Sequence, residues 1–556
     1  MKKIITLLFI LSIVIVSNDV QAQKKKSKKN GDKAQVIDED QSRVQFDIGA
    51  NPQQVSMINL DTNGILLVYT LYSDQTVYIN KYDKNLNKIY STTLAIADKS
   101  KIASIKDYKQ NLYLLVIDDN YYASSSSFTM NYKVIEFNHI SKKSSEVVGV
   151  FEKKRMVQDM IPCDGGAFLL TLDCYTNSKM GNRSMFNCCL LGIPSLFGFT
   201  KFPFNPYLVS INFKNKKTEE QLLEYVNQSA ILAGDLDEEK QELNLSIKNK
   251  VKKKENRIYV ANYKLAGTGK ATKVKETEVD LPEKKDFYSA KINTLNSDEK
   301  LVFGTYGPET NYLTQSGGVA NGLYLSKVVK GKCAFTTVVR FDELESYMTK
   351  NQKKKKDAGA ASSKKEKSYS GGVLFHDIIE DENQFILTAE NYYPTYHTES
   401  YYNYQTKSYT TRQVFDGYVY DKLIILGFTK DGKKKWEQNI KLPYYRTFSP
   451  GALLVRNEIV EADLYFTMAL SDGAIKFVKL TKDNTVSQLT SLEEIENIEG
   501  EEVIERNFIN GGVLYENNYI VYGWEKIVKE KDGKKNKSTK DAKTVMFINK
   551  IAVYPE

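Results

Sequence analysis

The sequence predicts an all-β protein, a β-propeller of seven or eight blades with a short helical insertion near residues 218–250. Three observations lead to this fold. Strand–turn–strand units recur along the chain, their turns lie mostly about 50 to 80 residues apart, and a further apolar strand precedes several of the units. Four strands per module is the arrangement of propeller blades, whereas a pair of β-sandwich domains would not keep one register of repeats.

The clearest unit is Tyr418–Ile440. Its run Leu423–Phe428 is rich in β-branched and aromatic residues, and Asp431-Gly432 supplies the positive φ angles that a tight hairpin turn requires. Weaker copies begin at Val77, Tyr132, Tyr207, Ile258, Tyr324, Ile475 and Val545. The preceding apolar runs begin at Gly64, Asn111, Gly165, Lys300, Asn383, Asp463 and Asn517.

One segment departs from the strand pattern. Thr218–Gln221 has the form of a capping box, and Leu222, Leu223 and Val226 follow it at helical spacing. We therefore expect a helical excursion between two modules that extends through Lys250. We interpret it as a decorated connection in preference to a partner-binding helix.

Length and composition indicate one large globular domain. The chain has 556 residues, of which 41% are apolar, so it can bury a sizeable core. We place the domain at residues 45–556, with polar inserts near 351–368 and 529–543. The 37 Tyr and 25 Phe residues fit strand faces, on which Tyr buries its ring and keeps its hydroxyl in water.

Residues 1–22 have the pattern of a secretory signal peptide. Two lysines precede the apolar run Ile4–Val16, which is too short for an ordinary membrane span, and Val20–Ala22 permits cleavage. Residues 23–44 then predict a basic, disordered leader. No cysteine lies directly after the apolar run, which argues against a lipid anchor. No later segment has the apolar length of a spanning helix. We expect an exported protein of the periplasm or cell surface, with no transmembrane segment in the mature chain.

The net charge of +9 does not indicate nucleic-acid binding. Only nine basic residues are Arg, and the Lys residues gather in polar tracts such as Lys24–Lys33 and Lys353–Lys367. Specific nucleic-acid readout relies on Arg and on a recognisable module, and the sequence has neither. Weak contact of Lys24–Lys33 with an anionic surface is a hypothesis, since each Lys near lipid headgroups gains roughly 1 kcal/mol.

The cysteines allow two interpretations. Cys163, Cys174, Cys188 and Cys189 lie close together in the sequence, and Cys333 stands apart. In an exported protein they are disulfide-bonded, for example from Cys174 to Cys188 or Cys189, or they are free buried thiols, and the pairing stays open. A zinc site would need paired short spacings such as C-x2-C, which the sequence lacks. We expect no metal and no cofactor.

No catalytic constellation is recognisable in the sequence. His139, His376 and His397 are scattered, and neither an HExxH motif nor a nucleophile with a motif-placed base occurs. Thr429–Trp436 resembles the Asp-box turn of sialidases, S-x-D-x-G-x-x-W, with the Gly displaced by one position. Sialidase chemistry also needs an arginine triad, and the Arg residues fall in no matching motif. We name no catalytic residue and expect a protein that is not an enzyme.

The segment 370–440 carries a resemblance to a family. Ala389–His397, Phe415–Tyr418 and Gly427–Trp436 are similar to a pattern in exported, uncharacterised β-propeller-like proteins of Gram-negative bacterial envelopes. This resemblance covers about a seventh of the chain. It implies a propeller-like envelope protein without an assigned activity.

A Tyr-rich insert lies between the halves of this segment, and its tyrosines are the candidate ligand-binding residues. An exposed Tyr offers contact area at low entropic cost, so it can stack on a sugar ring or anchor a protein partner. The other interpretation, which we favour, is a long hairpin that packs these rings on its own blade. The candidates are Tyr392, Tyr393, Tyr396, Tyr401, Tyr402, Tyr404 and Tyr409.

Two function classes follow from these expectations. The first is a noncatalytic exported binding or scaffolding protein of the cell envelope, which recognises a protein or a glycan through propeller loops. It leads because function on such a fold resides in grafted sites, and the sequence offers aromatic loops without catalytic clusters. The alternative is a carbohydrate-active enzyme whose carboxylates come from distant blades. Two carboxylates about 5 to 9.5 Å apart in a central pocket would support that alternative.

Overall fold

The structure is a computed structural model that describes residues 42–552 with gaps at 61–62, 72–74, 97–99, 119–128, 152–154, 175–203, 224–228, 253–254, 266–270, 282–284, 309–318, 348–368, 404, 406, 448–452, 461–462, 470–474, 482–485, 493–497, 499–500, 516–517 and 530–541. The expected signal peptide (1–22), residues 23–41 of the expected leader and the inserts at 351–368 and 530–541 lie outside this description. Among the described residues, no helix has the length and apolar character needed to cross a membrane.

The described chain is built from β-strands. Strands β1–β17 are, in order, Ser42–Asp47, Pro52–Asn59, Ile65–Leu71, Thr76–Tyr82, Lys88–Ala95, Ser100–Tyr108, Asn111–Asp118, Met130–Asn138, Ser144–Phe151, Arg155–Cys163, Gly166–Cys174, Phe204–Asn212, Lys217–Leu222, Ser229–Asp237, Glu242–Lys252, Glu255–Leu265 and Ala271–Val279. The first strand includes residues 42–44, which the sequence had placed in the leader.

Strands β18–β36 are, in order, Lys285–Phe287, Lys291–Thr294, Glu299–Pro308, Val319–Ala320, Gly322–Val329, Lys332–Arg340, Tyr369–Ser370, Gly372–Phe375, Ile379–Glu380, Gln384–Asn403, Ser408–Thr429, Lys434–Thr447, Val455–Val460, Asp463–Ala469, Ile475–Leu480, Val486–Leu492, Glu501–Tyr515, Asn518–Lys529 and Lys543–Ala552. Two 3-10 turns, Phe341–Glu343 and Glu345–Tyr347, are the helical elements of the described residues.

The chain divides into two compact units, of which unit 1 comprises Met1–Asp98 and Leu453–Glu556. Its described part holds three four-stranded antiparallel sheets with the orders β2-β3-β4-β5, β30-β31-β32-β33 and β1-β36-β35-β34. The last sheet, which we call the composite sheet, pairs Ser42 near one end of the chain with Lys550 near the other. One apolar cluster joins buried residues of the composite sheet and of the β2–β5 sheet.

Unit 2 comprises Lys99–Ala452 and holds five larger antiparallel sheets within its described residues. Three follow chain order as β6–β9, β10–β13 and β14–β17. The other two have the orders β18-β20-β22-β23 and β25-β27-β28-β29, with β19 also paired to β20 and β26 to β27. Apolar clusters between successive sheets form the core of this unit.

These repeated four-stranded sheets confirm the all-β, β-propeller fold. Seven of them are each formed by strands that follow one another along the chain, apart from β21, which pairs with β24, and the composite sheet is the additional one. The sequence repeats correspond to the third and fourth strands of a sheet, and the preceding apolar runs correspond to the second strand. Every residue of the second strand Ile65–Leu71 is buried, and its alternate residues from Ile65 to Leu71 pack in the apolar cluster shared with the composite sheet.

The turn at Asp431-Gly432 joins β28 to β29, as the sequence predicts. Gly432 has a φ angle of +86°, and its backbone N–H donates to the carbonyl of Thr429 at 2.9 Å. Asp431 is not among the described residues with positive φ, so the glycine alone supplies the left-handed conformation. A loop with one left-handed glycine is the usual solution when more than two residues connect the strands.

The predicted helical insertion near residues 218–250 is wrong. Residues 217–222 form β13, which pairs with β12, and residues 229–237 and 242–252 form β14 and β15. The physical reason is that the apolar residues of the segment recur at every second position, which is the period of a strand, although the spacing at Leu222 resembles that of a helix. Leu243, Leu245 and Ile247 alternate along β15 and are fully buried.

Candidate functional site

The long hairpin of β27 and β28 contains the tyrosines that the sequence singled out. Strand β28 pairs with β29 from Tyr418 onward, and β25 pairs with β27 up to Tyr392. Residues 395–403 and 408–417 therefore pair only with each other in the described ladder, whereas Tyr393 and Pro394 pair with Val419 and Tyr418. We call residues 393–417 the tyrosine ribbon. At about 3.4 Å per residue, residues 395–403 extend roughly 30 Å beyond the four-stranded part of the sheet.

Irregular pairing marks the place where the ribbon leaves the sheet. The register of β27 against β28 shifts between Asn391 and Tyr392 and again between Thr395 and Tyr396. Such bulges increase the local twist and redirect a strand. The Tyr-rich insert is therefore a long hairpin that continues two strands of the sheet, as the hairpin interpretation of the sequence expects.

One face of the ribbon carries a row of aromatic rings. The ring centroids of Tyr392 and Tyr418 are 5.5 Å apart, those of Tyr418 and Phe415 are 5.0 Å apart, and those of Phe415 and Tyr396 are 5.6 Å apart. Edge-to-face and tilted contacts at these distances are favourable beyond the area that they bury. The row starts at a buried ring, since Tyr392 is 5% exposed.

The other candidate tyrosines that the structure describes are exposed. Tyr402 and Tyr409 lie opposite each other across the two strands with their rings 5.3 Å apart, yet Tyr409 is 77% exposed. Tyr404 lies outside the described residues. The exposed set consists of Tyr393, Tyr396, Tyr401, Tyr402 and Tyr409, with exposed fractions of 37%, 53%, 47%, 40% and 77%.

The opposite face of the ribbon is charged. His397 Nδ1 lies 2.5 Å from Asp416 Oδ1, and its Nε2 lies 3.2 Å from Glu399 Oε1. Arg412 donates two hydrogen bonds to Glu399 Oε2, at 2.8 and 3.0 Å. The hydrogen bonds to Asp416 and Glu399 raise the pKa of His397. Because a two-stranded ribbon is marginally stable alone, this cluster and the aromatic row hold its two strands together.

A second candidate site is a pocket of about 490 Å³ that lies wholly within unit 2. Short segments of five sheets line it, and each segment belongs to the strand, or pair of short strands, at one edge of its sheet, apart from Leu170 on β11. We call it the edge-strand pocket. Its charged lining residues are Lys106, Asp159, Asp235, Lys291 and Asp377.

The charged groups of the edge-strand pocket are held by neighbours. Lys106 Nζ lies 2.9 Å from Asp159 Oδ1, and Lys291 Nζ lies 2.7 Å from Asp377 Oδ1. Asp235 Oδ2 accepts a hydrogen bond of 2.7 Å from the backbone N–H of Thr294. Burial raises the pKa of Asp235, and the charge of Asp377 adds to this effect while the hydrogen bonds from Thr294 oppose it.

The edge-strand pocket is not predictable from the sequence. Its charged residues come from five different sheets, with Asp377 between β25 and β26, and no two of them share a motif. The feature that these segments share is an irregular edge strand, interrupted near the pocket by a bulge or by a break. The affected positions are recognisable only after the strands have been paired.

The described residues contain no group of three or more His, Cys, Asp or Glu side chains that could hold a metal ion. Cys163 is a buried free thiol, and burial raises its pKa to about 12. Cys188 and Cys189 lie outside the described residues, so the disulfides suggested for Cys174 stay predictions. Cys333 is also a free thiol.

No protein-family model and no curated protein matches the chain. Solved structures with similar folds include the polysaccharide lyase Uly1, at 10% identity, a TM-score of 0.38, and coverage of 81% of this chain and 90% of the lyase. The periplasmic gluconolactonase PpgL of Pseudomonas aeruginosa matches at 8% identity and a TM-score of 0.31, covering 79% and 95%.

A third similar structure is the N11 neuraminidase-like protein of A/flat-faced bat/Peru/033/2010, at 8% identity and a TM-score of 0.28, covering 71% of this chain and 88% of that one. At these identities and TM-scores, the matches assign no activity and no residue role to this chain.

Proposed function

We propose that this chain is a noncatalytic, exported binding or scaffolding protein of the cell envelope that recognises a protein or glycan partner through the tyrosine ribbon. One observation carries the proposal. Two strands that pair only with each other hold four exposed tyrosines, Tyr396, Tyr401, Tyr402 and Tyr409, and the four-stranded part of the sheet does not need them for its own pairing. Large exposed aromatic surfaces mark interaction sites in soluble proteins.

The geometry of the ribbon suits recognition because its rings are partly fixed before any partner arrives. Tyr396 packs on Phe415, and Tyr402 packs on Tyr409. A side chain that is already ordered loses less conformational entropy on binding, so more of its contact energy contributes to affinity. Tyr is also among the residues that most often dominate binding energy at interfaces.

A crosslinking pull-down from envelope fractions tests this proposal. We expect the unaltered protein to enrich one membrane complex and a Tyr402→Ser/Tyr409→Ser variant to lose it, since truncating a dominant interface Tyr typically costs at least about tenfold in affinity. Ile140→Ser is the matched control, because Ile140 is also exposed and apolar but lies outside the ribbon. Equal capture by the variant and the unaltered protein would reject the ribbon as the binding surface.

Export is a part of the proposal that rests on residues 1–22 alone. Cell fractionation should place the full-length chain in the envelope and a chain without residues 1–22 in the cytoplasm. N-terminal sequencing of the mature protein should begin near Gln23. Retention of the full-length chain in the cytoplasm would reject export, whatever the ribbon binds.

A carbohydrate-active enzyme is the second candidate function, and one observation favours it. Asp159, Asp235 and Asp377 come from three different sheets and line one pocket. Pairs of carboxyl groups with different pKa values perform acid–base catalysis in glycoside hydrolysis. Release of reducing ends from an oligosaccharide panel, abolished in Asp235→Asn and Asp377→Asn, would establish this function in place of the noncatalytic one.

A further inference from the structure

The edge-strand pocket lies along one edge of each of the five larger sheets of unit 2, and every one of these five edges is irregular. Bulges interrupt β6 after Ile102, β10 after Val157 and β14 after Ile231. In the other two sheets, the edge is split into short pieces, β18 with β19 and β25 with β26. Bulges redirect side chains and occur frequently beside active sites. Five coincident interruptions therefore indicate a built cavity.

One of these bulges places an amide in the pocket. Gln158 has no partner across the β10–β11 ladder and lies in the pocket lining. Its Nε2 donates a hydrogen bond of 2.8 Å to the carbonyl of Ile231, which precedes the bulge of the neighbouring sheet. The bond fixes the amide and leaves its oxygen as an acceptor.

The charge of the pocket is nearly balanced. Lys106 and Lys291 oppose Asp159 and Asp377, each pair in contact, and Asp235 is the unmatched carboxyl. Two positive and three negative groups give at most one net negative charge. This balance disfavours a phosphate, which needs an excess of cationic side chains, and a polyamine, which needs a strongly negative pocket. The pocket instead offers many hydrogen-bond donors and acceptors close together.

An aromatic ring forms part of the wall. Phe375 lines the pocket, and its ring packs edge-on against Phe303 at a centroid distance of 5.6 Å, so its orientation is fixed. Val373, Leu170 and Ile292 extend the apolar part of the lining. A sugar ring has an apolar C–H face and hydroxyl groups that both donate and accept hydrogen bonds, and this pocket offers a partner for each.

We propose that the edge-strand pocket binds a neutral saccharide unit, with one sugar ring against Phe375 and its hydroxyls hydrogen-bonded to Asp159, Asp377 and Gln158. The volume of about 490 Å³ lies within the range of small-ligand sites, roughly 300–1,000 Å³. This inference is independent of the tyrosine ribbon. It shares its pocket with the second candidate function but requires binding only, not bond cleavage.

Isothermal titration of the mature protein against a panel of probes tests the inference. The neutral probes are trisaccharides of glucose, galactose, mannose and N-acetylglucosamine, and the charged probes are a trisaccharide of uronic acid, inorganic phosphate and a diamine. We expect saturable binding of at least one neutral trisaccharide. Asp377→Asn and Phe375→Ala should each weaken it by about tenfold or more, as loss of a central polar or aromatic contact does.

Two comparisons keep the result interpretable. Asp377 is largely exposed and Asp377→Asn leaves the fold intact, whereas Phe375→Leu preserves apolar packing on Phe303 if Phe375→Ala fails to fold. Phe46→Ala, on β1 of unit 1, is the matched aromatic control, because its ring also packs against another ring, that of Tyr69, and it should bind the trisaccharide normally. Binding without release of reducing ends supports the inference and rejects the enzyme. Loss of pull-down in the ribbon variants with normal sugar binding separates the two sites.

Three outcomes would overturn the inference. The first is no heat of binding with any neutral trisaccharide at millimolar concentration. The second is binding of phosphate, diamine or uronate in preference to every neutral probe. The third is neutral-sugar affinity that is the same in Asp377→Asn and Phe375→Leu as in the unaltered protein, which would place the binding site elsewhere.

Discussion

Replacing Lys248 with Met should destabilise unit 2 by about 3–5 kcal/mol. Lys248 on β15 has no exposed surface, and its Nζ lies 3.1 Å from Oδ1 of Asp286 on β18, which is 1% exposed. The same Nζ donates a hydrogen bond of 2.5 Å to the carbonyl of Phe287. The pair joins two neighbouring sheets, and the segment that follows β18 lines the edge-strand pocket.

The magnitude follows from burial and distance. At 3.1 Å and an effective dielectric constant near 20, the attraction between the two charges is about 5 kcal/mol. Burial lowers the pKa of Lys248, which shows that desolvation opposes the charged state, while Asp286 favours it. Removing the ammonium group alone leaves a buried carboxylate without its counter-charge. Removing both charges, in Lys248→Met/Asp286→Leu, should restore stability to within about 1–2 kcal/mol of the unaltered protein.

Urea unfolding followed by tryptophan fluorescence measures this effect in unit 2. The chain has two Trp residues, and Trp436 lies in unit 2 while Trp524 lies in unit 1. A Trp524→Phe background therefore makes the fluorescence report on unit 2 alone. Lys133→Met is the matched control, because Lys133 forms a pair of similar length, 2.9 Å, with Glu146 on a partly exposed surface. The control should lose at most about 1 kcal/mol.

Two results would refute this reasoning. A loss of less than about 1 kcal/mol in Lys248→Met would mean that water or another group compensates the buried carboxylate. A double variant as unstable as the single one would mean that packing of the lysine stem, and not the charge, accounts for the loss.

Three further predictions concern other parts of the chain. Burial raises the pKa of Asp235 in the folded protein above its ordinary value of 3.8. As the pH rises above 3.8, the unfolded chain releases this proton while the folded protein still holds it. The carboxyl group therefore lowers the free energy of unfolding above pH 3.8. Asp235→Asn should therefore gain stability relative to the unaltered protein at pH 7 and lose the gain below about pH 3.8, measured by urea unfolding at both pH values. Glu525→Gln should destabilise unit 1 by about 3–5 kcal/mol, since the buried carboxylate lies 2.6 Å from both Arg43 and Arg506, and Trp524 fluorescence reports it. Deleting residues 24–33 should weaken binding of the mature protein to anionic vesicles in a sedimentation assay, and unchanged binding would contradict a role for these lysines.

The strands were predictable because their signals are local. An apolar residue at every second position and an Asn, Asp or Gly turn identify the third and fourth strands, as at Asp83 and Asp431, where turns separate β4 from β5 and β28 from β29. The helical insertion was predicted wrongly because Leu222 and Leu223 follow a capping-box pattern. In the structure, Leu222 is exposed on an outer strand and Leu223 is buried, an alternation that a strand also produces.

The two candidate sites differ in how much the sequence could predict. The tyrosines of the ribbon lie in one short segment, so their clustering is visible in the sequence, although the bulges that turn the segment into an extension of the sheet are not. The pocket brings single residues such as Lys106, Asp235 and Asp377 together from separate sheets. Their proximity depends on the pairing of strands far apart in the chain, and no local pattern encodes it.

The composite sheet has a consequence for the biogenesis of the protein. Strand β1 is synthesised first and its partner β36 last, since Ser42 pairs with Lys550. The sheets of unit 2 can form from adjacent hairpins as they emerge, whereas the composite sheet must wait for nearly the whole chain, and closing so long a loop slows its formation. Until β36 has been synthesised, β1 has no strand to pair with. A chain interrupted before residue 543 would therefore expose the unpaired β1 to proteases.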